Sequence, residues 1–152
     1  MTSVLFICLG NICRSVTAEE IFRTFVKRAG RENDFFIDSA GLIDYHEGEL
    51  ADSRMRQHAS LHGYRLTHRS RPVRPEDFKK FDWIVAMDCN NVKGLKSVAP
   101  CPEDERKIVM MADYLKEHTH SFVPDPYYGE AEDFELVIEL LEDACQGLLE
   151  QL

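Results

Sequence analysis

The sequence contains no long apolar run. Its first hydrophobic stretch, residues 4–9, is far too short to span a bilayer, and the Met-Thr-Ser before it lacks the basic region of a secretory signal, so no membrane anchor or leader is expected. Positive charge is scarce: 18 Lys and Arg stand against 27 Asp and Glu, a formal net charge of -9. That balance argues against general nucleic-acid binding, because Arg69, Arg71 and Arg74 form only a brief basic run. The five cysteines are odd in number and match no zinc spacing. Internal repeats and low-complexity stretches are absent too.

What is present fits one domain, residues 1–152, because 152 residues at 44% hydrophobic content supply a sizeable single core. Residues 4–7 read as a buried strand and 16–28 as a helix, with Ile21, Phe22, Phe25, Val26 and Ala29 on a core-facing stripe. Phe35-Phe36-Ile37 predicts a second strand, followed by a tight turn at Ser39-Ala40-Gly41. Asp52 caps a helix running to about His62 and ended by Gly63, and residues 64–71 look extended. A short helix over 75–80 precedes a third strand at 82–87. After a solvated loop at 100–107, a fourth strand covers 107–111. Residues 117–128 have neither period, and Phe134, Val137, Ile138, Leu141, Cys145 and Leu148 mark a C-terminal helix whose buried thiol is inert. Strands alternating with helices predict an α/β fold, a doubly wound four-stranded parallel sheet of flavodoxin-like type with helices on both faces.

The informative stretch is residues 8–15, Cys-Leu-Gly-Asn-Ile-Cys-Arg-Ser, between the first strand and the first helix. A chain that turns directly from a buried strand into a helix leaves backbone N–H groups unpaired at the positive helix end, which attracts anions. The stretch lacks the Gly-Lys-Ser/Thr ending of a nucleotide-binding loop and carries Cys8 and Arg14 instead. The amides of Leu9, Gly10, Asn11, Ile12, Cys13 and Ser15 would cradle phosphoryl oxygens and favour a thiolate at Cys8. Arg14 offers a planar fork that holds two such oxygens at once. Gly10 supplies the tight bend, and the Ser15 hydroxyl can donate to the sulfur. Cys13 is either a small apolar contact beneath the cradle or a thiol that pairs with Cys8 on mild oxidation and protects it.

On these residues the chain resembles the low-molecular-weight protein tyrosine phosphatases, marked by a Cys-x5-Arg-Ser/Thr loop near the start and an acid loop far downstream, here Asp125-Pro126-Tyr127-Tyr128. The resemblance extends over nearly the full chain and implies strand order 2-1-3-4. It also implies hydrolysis of phosphotyrosine and small aryl phosphate monoesters through a phosphocysteine, with no cofactor and no metal. By this resemblance Cys8, Arg14 and Asp125 are catalytic, with Asp125 as proton donor, extended by the proline after it. No Lys or Arg follows Lys116, so Asp125 is expected in acidic surroundings. Tyr45 stands where the family often has tryptophan and is either a wall of the ring slot or a half-exposed loop residue. Tyr127 is a second wall and Tyr128 lies at the rim. Ser39 and His68 are implied to brace Asn11, and Asp88, otherwise a helix cap, to support the arginine and acid loops. Val16 replaces the proline usual after the loop serine.

The expected partners are tyrosine-phosphorylated proteins or small aryl phosphates, with no nucleic acid or membrane, in a cytoplasm that keeps the thiol reduced. Two alternatives remain. An arsenate reductase on the same fold would draw on Cys89 and Cys101, and a phosphocysteine carrier or phosphate-binding regulator would lack turnover.

Overall fold

The computed structural model describes residues 1–152. Strand β1 (Thr2–Cys8) is the second strand of a four-stranded sheet ordered β2-β1-β3-β4, with β2 (Phe35–Gly41), β3 (Trp83–Ala86) and β4 (Ile108–Met110) all parallel to their neighbours. Successive β1 side chains alternate between two cores. Val4, Phe6 and Cys8 join a cluster on one face, Leu5 and Ile7 a smaller cluster on the other. Burial on both faces explains why the strand reads as a continuous apolar run, as parallel strands do.

The larger cluster is closed by α1 (Arg14–Arg28), α2 (Ser53–Leu61) and α6 (Ala131–Gln151). The smaller is closed by α3 (Asp77–Lys80) and α4 (Cys89–Val98) through Phe78 and Leu95. Phe6, Phe22, Phe78, Phe81 and Phe134 are fully buried, each contributing on the order of 1.5–3 kcal/mol. The sheet is therefore doubly wound with helices on both faces. No helix is long and apolar enough to cross a membrane.

Two expectations are corrected. Ser39, Ala40 and Gly41 are the last residues of β2, in register with Phe6, Ile7 and Cys8, and make no turn. Residues 100–107, predicted as a solvated loop, instead carry the short helix α5 (Pro102–Glu105), begun by proline at its first position. Asp104 there is buried against Lys79 at 2.8 Å, a partner that local sequence does not reveal. Residues 64–71 join the sheet by no ladder, and an isolated bridge pairs Arg69 with Leu50.

The chain leaves β1 toward β2 on one side, and β3 lies on the other, so the carboxyl end of β1 is the point where connections diverge and a crevice opens. The loop of residues 9–13 lies there.

Candidate active site

Helix α1 begins at Arg14 with no side-chain cap and no acid in its first turn. The amides of Leu9, Gly10, Asn11, Ile12 and Cys13 have no hydrogen-bond acceptor within the protein. These donors and the positive end of α1 make the loop an anion cradle. Its sharpest residue is Asn11 at φ 58°, in the left-handed region, so Asn11 and not Gly10 makes the bend that the sequence suggested.

For a non-glycine residue that conformation costs about 1–2 kcal/mol, and the Asn11 side chain offsets it with four bonds. Nδ2 donates to Ser15 Oγ at 2.7 Å and Ser39 Oγ at 3.0 Å. Oδ1 accepts from His68 Nε2 at 3.0 Å and from the Arg71 amide at 3.1 Å. Ser39 donates onward to Glu19 at 2.6 Å, and His68 Nδ1 lies 3.3 Å from the same carboxylate. Because Ser15 Oγ accepts from Asn11, its own proton is free for Cys8 Sγ at 3.0 Å.

Gly41 contributes by its missing side chain. A Cβ there would meet the Leu9 carbonyl oxygen at 2.9 Å and the Asn11 nitrogen at 3.0 Å, so only glycine lets the loop lie this close to β2.

Arg14, 2% exposed, puts a positive charge at the positive end of a helix, an unfavourable place by itself. Asp88 compensates, with Oδ2 accepting from Arg14 Nη1 at 2.7 Å, while the Val123 carbonyl accepts from the same nitrogen at 2.9 Å. Asp88 also caps α4 by accepting from the Asn91 amide at 2.8 Å. Asp125 Oδ2 stands 3.7 Å from Arg14 Nη2, so a cation from α1 faces it although its own stretch of chain carries none. Its other oxygen accepts from the Tyr127 amide at 3.1 Å, turning the chain so that the carboxyl and the Tyr127 ring line one cleft.

That cleft, about 310 Å³, has Cys8, Leu9, Gly10, Ile12, Cys13 and Arg14 at its base and Asp125 at its side. Tyr45, Tyr127 and Tyr128 wall it, together with Ile43 and His46. The His46 ring stands between Tyr45, 4.8 Å away edge-on, and Tyr127 at 6.4 Å. Asn11, Ser15, Ser39 and His68 do not line the cleft; they hold the loop from behind. The sequence reading missed Ile43, His46 and the Val123 carbonyl, which no motif marks. It also missed Arg54, which donates to the Tyr127 carbonyl at 2.8 Å with its guanidinium 5.5 Å from the Tyr127 ring. Gly41 was detectable, since glycine inside a strand signals close backbone approach.

Burial, with the nearby Cys8 and the Asp52 and Asp125 carboxylates, pushes the Cys13 thiol well up, so Cys13 stays protonated. All five cysteines are free. Neither Cys89 nor Cys101 lines the cleft, so the geometry gives an arsenate-reducing relay no support. A nearby cluster of Glu19, Asp38 and His68 has metal-ligand types, but Arg23 and Arg71 already neutralise its carboxylates at 2.8 and 3.1 Å.

Comparison with known proteins agrees with this architecture. Residues 3–152 match the family model described as low molecular weight phosphotyrosine protein phosphatase. A low molecular weight protein-tyrosine-phosphatase of Streptomyces coelicolor is 40% identical, over 96% of this chain and 90% of the relative. A low molecular weight phosphotyrosine protein phosphatase of Gallus gallus is 39% identical, over 98% and 94% respectively. A crystal structure of a protein tyrosine phosphatase from Entamoeba histolytica, with Hepes in its active site, superposes with a TM-score of 0.96 at 42% identity, covering 99% of this chain and 96% of that one.

Proposed function

Since the chain belongs to the low molecular weight phosphotyrosine protein phosphatase family and is an enzyme that hydrolyses phosphotyrosine, we propose the part that each of its own residues takes in the reaction. The observation that carries the proposal is a cysteine, five unbonded amides, a buried arginine and a half-exposed carboxyl around one cleft.

The phosphoryl group sits on the amides of residues 9–15, with Arg14 holding two equatorial oxygens. The Cys8 thiolate attacks phosphorus in line. As the S–P bond forms the P–O(aryl) bond breaks, and Asp125 gives its proton to the departing phenolate. Ser15 donates to the sulfur, which steadies it as nucleophile and later as leaving group. In the second step water attacks the phosphocysteine, Asp125 accepts its proton, and inorganic phosphate leaves as the S–P bond breaks. Amides and arginine are already in place, so stabilising the charge on the transferring group requires little reorganisation.

Tyr45, His46 and Tyr127 form the slot for the phenyl ring, with Tyr128 at its mouth. A slot of this kind fits the long aryl ester and keeps a phosphoserine out of reach of the sulfur. The substrates are phosphotyrosine proteins, with small aryl phosphates accepted because the slot contacts ring and phosphate alone. The same nucleophile needs a reducing compartment, so we place the enzyme in the cytoplasm.

The test compares phosphotyrosine with phosphoserine peptides in wild type and two variants. Cys8→Ser abolishes turnover yet retains phosphate binding, and Asp125→Ala slows cleavage most for the most basic leaving groups. A fully active Cys8→Ser protein would reject the mechanism.

A further inference from the structure

Arg14, Arg23, Arg31, Arg54, Arg71 and Arg74 each stand 2.7–3.8 Å from a carboxylate oxygen. The other five, Arg28, Arg56, Arg65, Arg69 and Arg106, have no carboxylate partner, and three of them, Arg56, Arg65 and Arg69, come together. All three are exposed, and all three line one groove of about 650 Å³ that no Asp or Glu enters. In a chain of net charge -9 this groove is a local inversion of the field. Two of the guanidinium groups are held in position by backbone: Arg56 Nε donates to the Ala51 carbonyl and Arg69 Nη1 to that of Gly48, both at 2.9 Å. A carbonyl orders a guanidinium without cancelling its charge, so donors stay available to an incoming anion.

The groove lies beside the catalytic cleft, with one further depression between them. A neck between them shares Leu50, Arg56 and Arg69 with the groove, and Ile12, His46 and Tyr127 with the cleft. Two acids line this neck: Asp52 is paired with Arg54 at 2.9 Å, and Glu49 is hydrogen-bonded to His46 at 2.9 Å and keeps its negative charge. With Arg56, Arg65 and Arg69 set against Glu49, the charge along the path is positive. The brief basic run of the sequence is resolved by the fold, which turns Arg71 to Asp38 and Asp77, and Arg74 to Glu47, leaving Arg69 to the groove.

We propose that this groove is an exosite for Asp and Glu side chains flanking the phosphotyrosine of a peptide substrate, so that the enzyme selects phosphotyrosines in acidic sequence. The proposal rests on the phosphatase reading above and adds to it the class of peptide. Guanidinium forks match carboxylates in pairs of parallel hydrogen bonds. In a chain of net charge -9 such a basic patch favours one orientation of an acidic peptide as well as its affinity.

The experiment measures kcat/KM on two phosphotyrosine peptides of equal length whose flanking residues are Asp and Glu in one and Asn and Gln in the other. Taken at roughly twofold each, three exposed ion pairs predict about an eightfold preference for the acidic peptide. The preference shrinks toward parity at about 0.5 M salt, as screening requires. The triple variant R56Q/R65Q/R69Q brings the ratio within about twofold of unity and leaves p-nitrophenyl phosphate turnover unchanged. Should that variant lose p-nitrophenyl phosphate turnover as well, Arg65→Gln alone must still lower the ratio by about twofold, or the proposal fails. Equal rates on the two peptides with wild-type enzyme, or an undiminished preference in the triple variant, overturn the exosite. Failure of the phosphatase reading is distinguishable, because then neither peptide nor p-nitrophenyl phosphate is cleaved.

Discussion

Arg14 Nη1 and Asp88 Oδ2 are 2.7 Å apart, one from the first turn of α1 and the other from the N-cap of α4 just beyond β3, and the pair fixes a guanidinium that is 2% exposed. Replacing Asp88 with alanine leaves that charge held by the Val123 carbonyl alone on Nη1. Hydrogen bonds to charged groups are worth about 1.5–3 kcal/mol, so kcat/KM should fall roughly ten- to a hundredfold, alike for phosphotyrosine peptide and p-nitrophenyl phosphate. A loss confined to the peptide would argue that Asp88 does not act through Arg14.

Asn11 combines a left-handed backbone with a bridging side chain, and two substitutions separate these. Asn11→Ala keeps the backbone cost and loses the bonds, which should lower stability by about 1–3 kcal/mol in urea unfolding and reduce kcat. Asn11→Gly removes the backbone cost and also loses the bonds. Recovery of stability without recovery of kcat in the glycine variant is expected; full recovery of both would mean that the side-chain bonds carry nothing.

Gly41→Ala drives a methyl group against the Leu9 carbonyl and the Asn11 nitrogen, neither of which is the far end of a flexible side chain. The loop must move, and overpacking of this kind costs about 1–3 kcal/mol. Phosphate affinity, read by competitive inhibition, should weaken along with stability. An alanine variant with unchanged inhibition would show that the loop tolerates displacement.

Asp143 fastens the start of the acid-bearing loop to α6. Its carboxylate accepts from the amides of Lys116, Glu117 and His118 and pairs with His118 Nδ1 at 2.7 Å. Burial works against the charged form, but those bonds outweigh it and hold the carboxyl down at about 2. A depressed carboxyl stabilises the fold above its unfolded value, about 3.9, and loses that contribution as pH falls through about 2. His118 is raised by its bonds to Asp143 and Glu139, so its contribution is full below about 6.5 and is lost as pH rises through the raised value. Asp143→Asn should therefore lower the melting temperature most between those two limits, with the difference from wild type shrinking toward pH 2. A difference independent of pH would contradict the pairing.

Cys13 remains a thiol at neutral pH, because burial and neighbouring negative groups push it up. Iodoacetamide should therefore label Cys8 first, and phosphate should protect it. Limited peroxide should yield a Cys8–Cys13 disulfide that thiols reverse. Peptide mapping that finds Cys8 as sulfinic or sulfonic acid, with Cys13 free, would remove the protective pairing.

The sequence made some of this legible because the signals were local. Strand β1 is an apolar run buried on both faces, Asp52 caps α2 by accepting from the Arg54 amide at 2.8 Å, and Gly63 at φ 87° ends that helical segment. Cys8, Arg14 and Ser15 could be named from one contiguous stretch, since a strand, a loop and a helix in succession already specify where the amides point. Helix α5 carried local signals that the reading passed over, a proline start and an acidic first turn, whereas Ser39-Ala40-Gly41 was misread because its strand depends on parallel pairing with β1.

By itself, then, the chain of amino acids determined the sheet class, the cradle and the cysteine proposed as its nucleophile, all of which follow from neighbours within a few residues. Which residue of the loop bears the bend, which histidine joins the aromatic wall and which arginines are left without a carboxylate partner were decided only in three dimensions. These relations join residues tens of positions apart, and their energies depend on burial and on charges that other elements bring, which no short window of sequence contains.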